Sequence, residues 1–355
     1  MPHRLRTSKP SILFISFIKL PHNYQTNASF LYRCFNLGAA LGHHGFRVEY
    51  SHAFKAIKHL MFGRYDVCVL HRPNGSHLCR AIGALLKKKG ITTVIDFDDL
   101  VFDPRMQQHN PGVIHGHVKP KELIKRFTRS RDFSFKHHHF TVSTQPLADA
   151  LQQMHSRAEI RVIHNCCLPG WRETPDEMPI KSHKRLTYFP GSRGHEHDLA
   201  VAWPAIKEAM RQRPEIEFHI VGRMDVSELR KEAPVFHLGL LPPDQYRHEV
   251  EASWVNIGPL AENPFNRCKS ALKMIEATAF GVPTIYSPNQ DALRFEDKGC
   301  LLADTHEAWV AHILALTDES YYRQQQALAF GPGQKETDVA DQADRFIGFL
   351  ADIGV

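Results

Sequence analysis

The stretch Asn266–Ile285, NRCKSALKMIEATAFGVPTI, holds the alternation from which the fold is read. An amphipathic run from Lys269 to Ala279 stops at Gly281, and Val282–Ile285 opens an apolar run of strand type. A glycine that closes a helix just before a β-branched, proline-bearing run marks the passage from helix to strand. Within the helical run, Lys269, Lys273 and Glu276 fall at i, i+4 and i+7, so the spacing predicts one shared helix face. Leu272, Ile275 and Ala279 take the opposite, core-directed side. Two ammonium groups beside the free N–H groups of a helix start suit a dianion or diphosphate. A carboxylate one turn deeper suits vicinal hydroxyls such as those of a ribose. A solvated face with an intrahelical Lys–Glu pair explains the same residues about equally well, so this helix alone does not decide the function.

Working outward, the same alternation recurs along the whole chain. Candidate strands in the first half are 11–17, 46–50, 66–70, 91–96, 140–143 and 160–163, separated by helical patterns such as ASFLYRCFNLGAALGHHG, which Gly45 closes. The stretch CCLPGWRETPDEMPIKSH (166–183) has no periodicity and reads as a linker. The alternation restarts with 185–189, 216–221, 235–239, 254–258, 282–285 and 300–302, and DVADQADRFIGFLADIG forms a terminal helix. Short apolar runs alternating with amphipathic ones are the signature of parallel α/β sheets. A chain of 355 residues exceeds the usual size of one core, so two domains are expected. The expectation is an α/β protein with two doubly wound, Rossmann-like domains facing a cleft, ligands lying beyond the carboxyl ends of the strands. The boundaries are 1–165, a linker at 166–183, 184–333, and a terminal helix at 334–355 packing back on the N-terminal domain.

Composition narrows the partners. A net charge of +6 favours anionic ligands without naming one. Seven cysteines, an odd number without a C-x-x-C pair, fit buried thiols in a reducing compartment. The N-terminal run SILFISFI imitates a signal peptide, but it is short, stops at Lys19 and lacks a small-residue cleavage site, so it is read as the first strand. No stretch approaches the ~20 apolar residues of a membrane span. A cytoplasmic protein is expected, at most held at the inner face of the membrane.

A second element strengthens the anion site. After 185–189 comes PGSRGHEHD (190–198), a strand-to-helix turn with two glycines, where the backbone can approach a ligand closely, and with Arg193 as a fork for phosphate. An ordinary turn with Asp198 at a helix end is the plainer account. The succession GSRGHEHDL, EFHIVGRM, VFHLGLLPPDQY and VNIGPLAENPFNRCKSALKMIEATAFGVPTIYS resembles the nucleotide-sugar half of a GT-B glycosyltransferase of the family 4, or group 1, type. YRCFNLGAALGHHGFRVEY and FTVSTQPLADALQQM…IRVIHN resemble that family's N-terminal domain.

The resemblance implies that the C-terminal half binds the donor. Gly191, Ser192, Arg193, Lys269, Ser270 and Lys273 would contact the diphosphate, with Arg193 and Lys273 carrying catalysis. His195 would join the donor-binding set, Glu276 would take the ribose hydroxyls, and the backbone near Leu241 would face the base. Many members carry a Glu-x7-Glu pair with a Gly-rich stretch; here Cys268 stands at the first glutamate and Lys269–Ser270 replace the glycines, while Glu276 remains. No metal and no cofactor beyond the nucleotide-sugar donor are expected.

VIDFDDLVFD (94–103) places acids at the end of a strand. Asp98 and Asp99 are the catalytic candidates on the acceptor side, for orientation or as general base; turn capping or pairing with an arginine is the alternative. Asn23, Asn27, Arg33 and Arg72 are further acceptor-side candidates. Asp-x-Asp also suggests a rival, a metal-dependent GT-A enzyme using Asp96 and Asp98. The basic, aromatic-bearing run 119–139 fits anionic membrane or a lipid-linked diphosphate; it lacks a nucleic-acid motif, and no nucleic acid partner is expected. His137–His139 diverge as neighbours and are not expected to hold a metal. The expected function is sugar transfer from a nucleoside-diphosphate sugar to a glycan or lipid-linked acceptor, retaining and metal-independent, in cell-surface polysaccharide synthesis. A GT-B nucleotide-sugar epimerase and a non-catalytic binding protein are the competing readings.

Overall fold

The computed structural model describes residues 9–19, 21–167, 169–171, 180–191 and 194–355. Half of the 166–183 linker, residues 168 and 172–179, therefore lies outside the described residues, as do Ser192 and Arg193.

Twelve strands fall where the apolar runs predicted them. The first sheet holds β1 (Ser11–Ser16), β2 (Arg47–His52), β3 (Val67–His71), β4 (Thr92–Phe97), β5 (His139–Val142) and β6 (Glu159–Val162), in the order β2-β1-β3-β4-β5-β6. The second holds β7 (Lys184–Gly191), β8 (Ile216–Gly222), β9 (Phe236–Leu238), β10 (Val255–Gly258), β11 (Thr284–Tyr286) and β12 (Cys300–Leu302), in the order β12-β11-β10-β7-β8-β9. Every pairing is parallel. Helices on both faces of a parallel sheet bury its central strands completely, and every residue of β3 and β10 is buried, the polar His71 and Asn256 included.

Strand order reverses between β1 and β3 in the first sheet and between β7 and β10 in the second. At such a reversal the connecting loops part and leave a crevice at the carboxyl ends of the strands. The candidate residues following β3, β4, β7 and β10 all lie at these ends.

The chain divides into two compact units: 1–107, 120–166 and 339–355 form one, and 108–119 with 167–338 form the other. In the first, the terminal helix Val339–Asp352 buries Phe346, Phe349 and Leu350 against Ile12, Phe14 and Leu37. Its Gln342 Oε1 accepts a hydrogen bond from the His164 amide at 2.8 Å. In the second, Trp203, Phe218, Trp309 and Ile313 fill the core under β7, β8 and β10. All seven cysteines are buried and unbridged.

One close approach fixes the loop after β3. Gly75 has φ +62°, and a Cβ there would meet the Arg129 carbonyl oxygen at 2.0 Å. Ser130 Oγ donates to the Pro73 carbonyl at 2.6 Å. The helix Pro120–Ser134 is thereby clamped to the loop that begins at Arg72. Gly75→Ala combines an unfavourable backbone conformation with a clash that no side-chain motion relieves, and is expected to lower the midpoint of thermal unfolding by roughly 5 °C or more. A melting curve superimposable on that of the parent would contradict this packing.

Candidate functional site

The anion-site helix of the sequence reading is in fact two short ones. Pro264–Arg267 and Leu272–Thr278 are separated by a break at 268–271, where Ala271 takes φ −75°, ψ 46°. Lys269 therefore does not share a helix face with Lys273 and Glu276, as the i, i+4, i+7 spacing suggested; it lies in the break, with Ser270. The cause is local. Asn263 caps the first helix through its side chain, and the Asp291 carboxylate accepts from the Ala271 amide at 2.7 Å, drawing that backbone group out of helical register. Gly281, at φ +59°, ends the second segment as expected.

The break places the two lysines around a carboxylate that the sequence reading left as a helix-end residue. Asp198 is buried beyond β7. Its Oδ1 accepts from the Ala261 amide at 3.0 Å and from Asn266 Nδ2 at 2.8 Å. Its Oδ2 lies 2.8 Å from His195 Nδ1 and 3.8 Å from Lys269 Nζ. One side chain thus joins the loop after β7 to the loop after β10. Burial would raise the Asp198 pKa, but the His195 hydrogen bond and the Lys269 ammonium outweigh it and hold the carboxyl well below the usual carboxylate range. Because the acceptor is a carboxylate, His195 Nδ1 carries the proton. Burial lowers the His195 pKa to about 4, with Lys269 and Lys273 adding to the effect and Asp198 opposing it. The ring is neutral at pH 7, with the Nε2 lone pair unprotonated.

Lys273 stacks its ammonium over the Tyr188 ring, 5.6 Å from the centroid. Burial and then the neighbouring Lys269 lower its pKa to about 8, against the pull of Asp198 and Glu276. Lys269 Nζ and Ser270 Oγ are buried and make no hydrogen bond among the described residues. Buried polar groups are nearly always satisfied, so two such atoms side by side mark a place where something else belongs. Glu276 is buried, and its Oε2 accepts from Tyr246 Oη at 2.7 Å. Leu241, after β9, packs with Tyr246 against the core around the helix Leu272–Thr278. Gly191 ends β7 at φ +73°, exposed and with open space where a Cβ would stand.

The sequence reading gave no role to 108–119, yet this segment belongs to the second unit. Pro111 sits against Gly194, whose φ is +100° and whose Cβ would meet the Pro111 backbone at 3.0 Å. His115 Nε2 lies 3.4 Å from the Glu196 carboxylate.

In the first unit the acids following β4 are individually compensated. Asp96 is buried, 2.6 Å from Arg33 Nη2 and 2.7 Å from His71 Nδ1, and it accepts from Thr141 Oγ1 at 2.7 Å. Arg33 is only 2% exposed and also donates to the Ile163 carbonyl. It is the internal counter-ion of Asp96. Asp98 accepts from Arg72 Nε and, at 2.6 Å, from Ser29 Oγ; Ser29 Oγ lies 2.8 Å from His71 Nε2. Ser29 and His71, absent from the sequence reading, thus link Asp96 to Asp98 through one hydrogen-bonded chain. Asp99 lies 3.8 Å from Arg72 Nη2 and accepts from the Leu100 amide. Arg72 holds this position at φ +48°, a left-handed backbone that a non-glycine residue adopts only under constraint. Burial opposes ionisation of Asp98, but the Arg72 guanidinium and His71 hold its carboxyl well below the ordinary range. Asn27 caps the helix Ala28–Phe30, while Asn23 is exposed at the end of Pro21–Asn23. The segment 119–139 forms the helix Pro120–Ser134 with Lys121, Lys125, Arg126 and Arg129 exposed, and Ile124 is the one large apolar side chain exposed on it.

Residues 188–319 match the family model described as "Glycosyl transferases group 1". Among solved structures, the chain is similar to a sucrose-phosphate synthase from Thermosynechococcus elongatus, with TM-score 0.69, 13% identity, and 97% of this chain and 99% of that one covered. Anabaena HepE in complex with UDP-glucose gives 0.64 and 15%, covering 97% and 100%. A putative UDP-N-acetylglucosamine 2-epimerase from Listeria monocytogenes gives 0.57 and 12%, covering 98% and 97%. No curated protein sequence matches significantly. The chain has the GT-B fold, and its second unit carries the match to the group 1 glycosyltransferases. That fold excludes the GT-A rival built on Asp96 and Asp98, whose carboxylates are engaged by Arg33 and Arg72. No described helix is long and apolar enough to cross a membrane.

The electrostatics around Asp198 yield a direct test. His195, assigned by difference against His195→Gln, is expected to titrate near pH 4 in a histidine NMR titration. A midpoint at the ordinary value near 6.5 would mean that the ring is neither buried nor flanked by the two lysines.

Proposed function

We propose that this glycosyltransferase takes its sugar from a nucleoside-diphosphate donor held in the second unit and passes it to a hydroxyl of a glycan or lipid-linked acceptor. The observation that carries the reading is the pair of buried, hydrogen-bond-free atoms Lys269 Nζ and Ser270 Oγ, grouped with Lys273 about Asp198. A diphosphate supplies the acceptor oxygens these groups lack. As the bond from the anomeric carbon to the diphosphate breaks, negative charge grows on the leaving group, and cations already in place stabilise it without reorganising. Glu276 then takes the ribose hydroxyls, and the resemblance adds Arg193, outside the described residues, to the phosphate contacts.

Retention of anomeric configuration fits the state of Asp98. A carboxylate held this low is a weak proton acceptor, so Asp98 orients the acceptor hydroxyl and the departing diphosphate takes its proton. Charge neutralisation by two lysines also makes transfer without a metal the simpler chemistry. By the same resemblance, the product belongs to cell-surface polysaccharide. A nucleotide-sugar epimerase on this fold would need only the donor pocket; incubation with the donor alone separates the two, because an epimerase converts it and a transferase at most hydrolyses it slowly.

Lys273→Ala is expected to cost ~3 kcal/mol of transition-state stabilisation, on the order of a 100-fold fall in turnover, with the fold intact. Turnover close to that of the parent would refute the assignment. The pH dependence has a definite sign. A bound diphosphate favours the Lys273 ammonium, so binding takes up a proton above the free-state pKa of about 8. Affinity for a nucleoside diphosphate should therefore be full below pH 8 and fall as the pH rises through it. In Lys273→Arg, which stays charged, that fall should vanish; an unchanged profile would assign it to another group.

A further inference from the structure

The helix Ala53–Phe62 carries an outward stripe that nothing in the donor chemistry uses. Its buried side is Ala53, Ala56 and Leu60, packed on the sheet beside the edge strand β2. Its opposite side presents Phe54, Lys58, Met61 and Phe62, at helical spacings of four, seven and eight from Phe54, with Lys55 adjacent. Phe54 is 70% exposed, Met61 59% and Phe62 79%. Phe54 and Phe62 stand eight residues apart, or ~12 Å along the helix axis. The neighbouring helix His77–Lys89 packs alongside and ends in Lys87, Lys88 and Lys89, all exposed, and Lys89 Nζ reaches the Met61 carbonyl at 3.4 Å. Lys55, Lys58 and Lys89 therefore border three protruding apolar side chains. The nearest acid, Glu49, is already engaged by Tyr65 Oη and by His59 at 3.4 Å.

We infer that this face is a docking surface for an anionic lipid bilayer. Charge complementarity selects that occupant. A protein partner would have to bring acids for each lysine around an apolar socket, and a second copy of this chain would bring the same cations face to face. A bilayer offers both chemistries at the required depths: acyl chains for Phe54, Met61 and Phe62, and headgroup phosphates for lysines whose apolar stems reach outward. The exposed apolar residues of β9, Phe236 and Leu238, form no comparable basic rim. The helix Pro120–Ser134, which the sequence reading favoured, has the charges but almost no apolar protrusion. The inference does not depend on the identity of the donor.

The test is co-sedimentation of the full chain with vesicles of phosphatidylcholine mixed with phosphatidylglycerol, against vesicles of phosphatidylcholine alone. Binding to the mixed vesicles is expected to exceed binding to the neutral ones about tenfold or more and to weaken as salt is raised. Phe54→Ser combined with Phe62→Ser should reduce binding by at least about tenfold, since both apolar anchors leave the interface. Phe236→Ser should not reduce it, and thermal midpoints of these variants should match the parent, because none of the substituted side chains is buried. Equal binding to neutral vesicles, full binding by the double variant, or no binding at all would overturn the inference. So would loss confined to Lys121→Gln with Lys125→Gln, which would move the contact to the other helix, or a dimer in sedimentation equilibrium that Phe62→Ser abolishes.

Discussion

The candidate site of the second unit depends on one buried carboxylate. Asp198 accepts hydrogen bonds from the loop after β10 through Ala261 and Asn266, and holds His195 on its own loop and Lys269 across from it. Without that charge, two lysines would face each other in a site largely closed to water, and His195 would lose the partner that fixes its proton on Nδ1. Removing one member of a buried charge pair typically costs about 3–5 kcal/mol, because the remaining charge is left uncompensated. The cluster is nonetheless undersaturated. Asp198 and Glu276 together balance the two lysines in charge, but part of the acceptor capacity of each goes to neutral groups. The hydrogen-bond-free Lys269 and Ser270 are what a diphosphate would complete.

The first unit solves the opposite problem. Its acids outnumber its obvious needs, and each is neutralised internally: Asp96 by Arg33, Asp98 by Arg72, with His71 and Ser29 connecting them. Such a network leaves little net charge at the carboxyl end of β4. The left-handed backbone of Arg72 belongs to the same construction, since it turns the side chain back over the end of β4 onto Asp98.

How much of this was legible beforehand follows from the range of the interactions. All twelve strands were readable, because burial on both sheet faces writes itself as local apolar runs, and Gly281 and Gly45 marked helix ends through their own backbone freedom. Lys269, Lys273, Ser270 and Glu276 could be singled out as a set, but not arranged. The break at 268–271 is imposed by Asp291, twenty residues away in sequence, and no periodicity carries that information. Asp198 was visible only as a helix-end acid, since its partners at 261, 266 and 269 are brought to it by the sheet. Arg33 was misjudged for the same reason: its role is set by Asp96, Ile163 and Asn165, which lie on other strands and loops. Ser29 and His71 had no sequence signal, for a serine and a histidine 42 residues apart become neighbours only through the pairing of β1 with β3.

The central claim is that the groups around Asp198 are organised for a diphosphate rather than for a generic anion or for a nucleoside. Isothermal titration of the full chain with a nucleoside diphosphate and with the monophosphate of the same base tests this directly. If two lysines and Ser270 grip both phosphoryl groups, the diphosphate binds on the order of 100-fold more tightly, each charge-assisted contact to the second phosphoryl group contributing ~1.5–3 kcal/mol. Equal affinities for the two nucleotides, or no binding of either, would contradict the account.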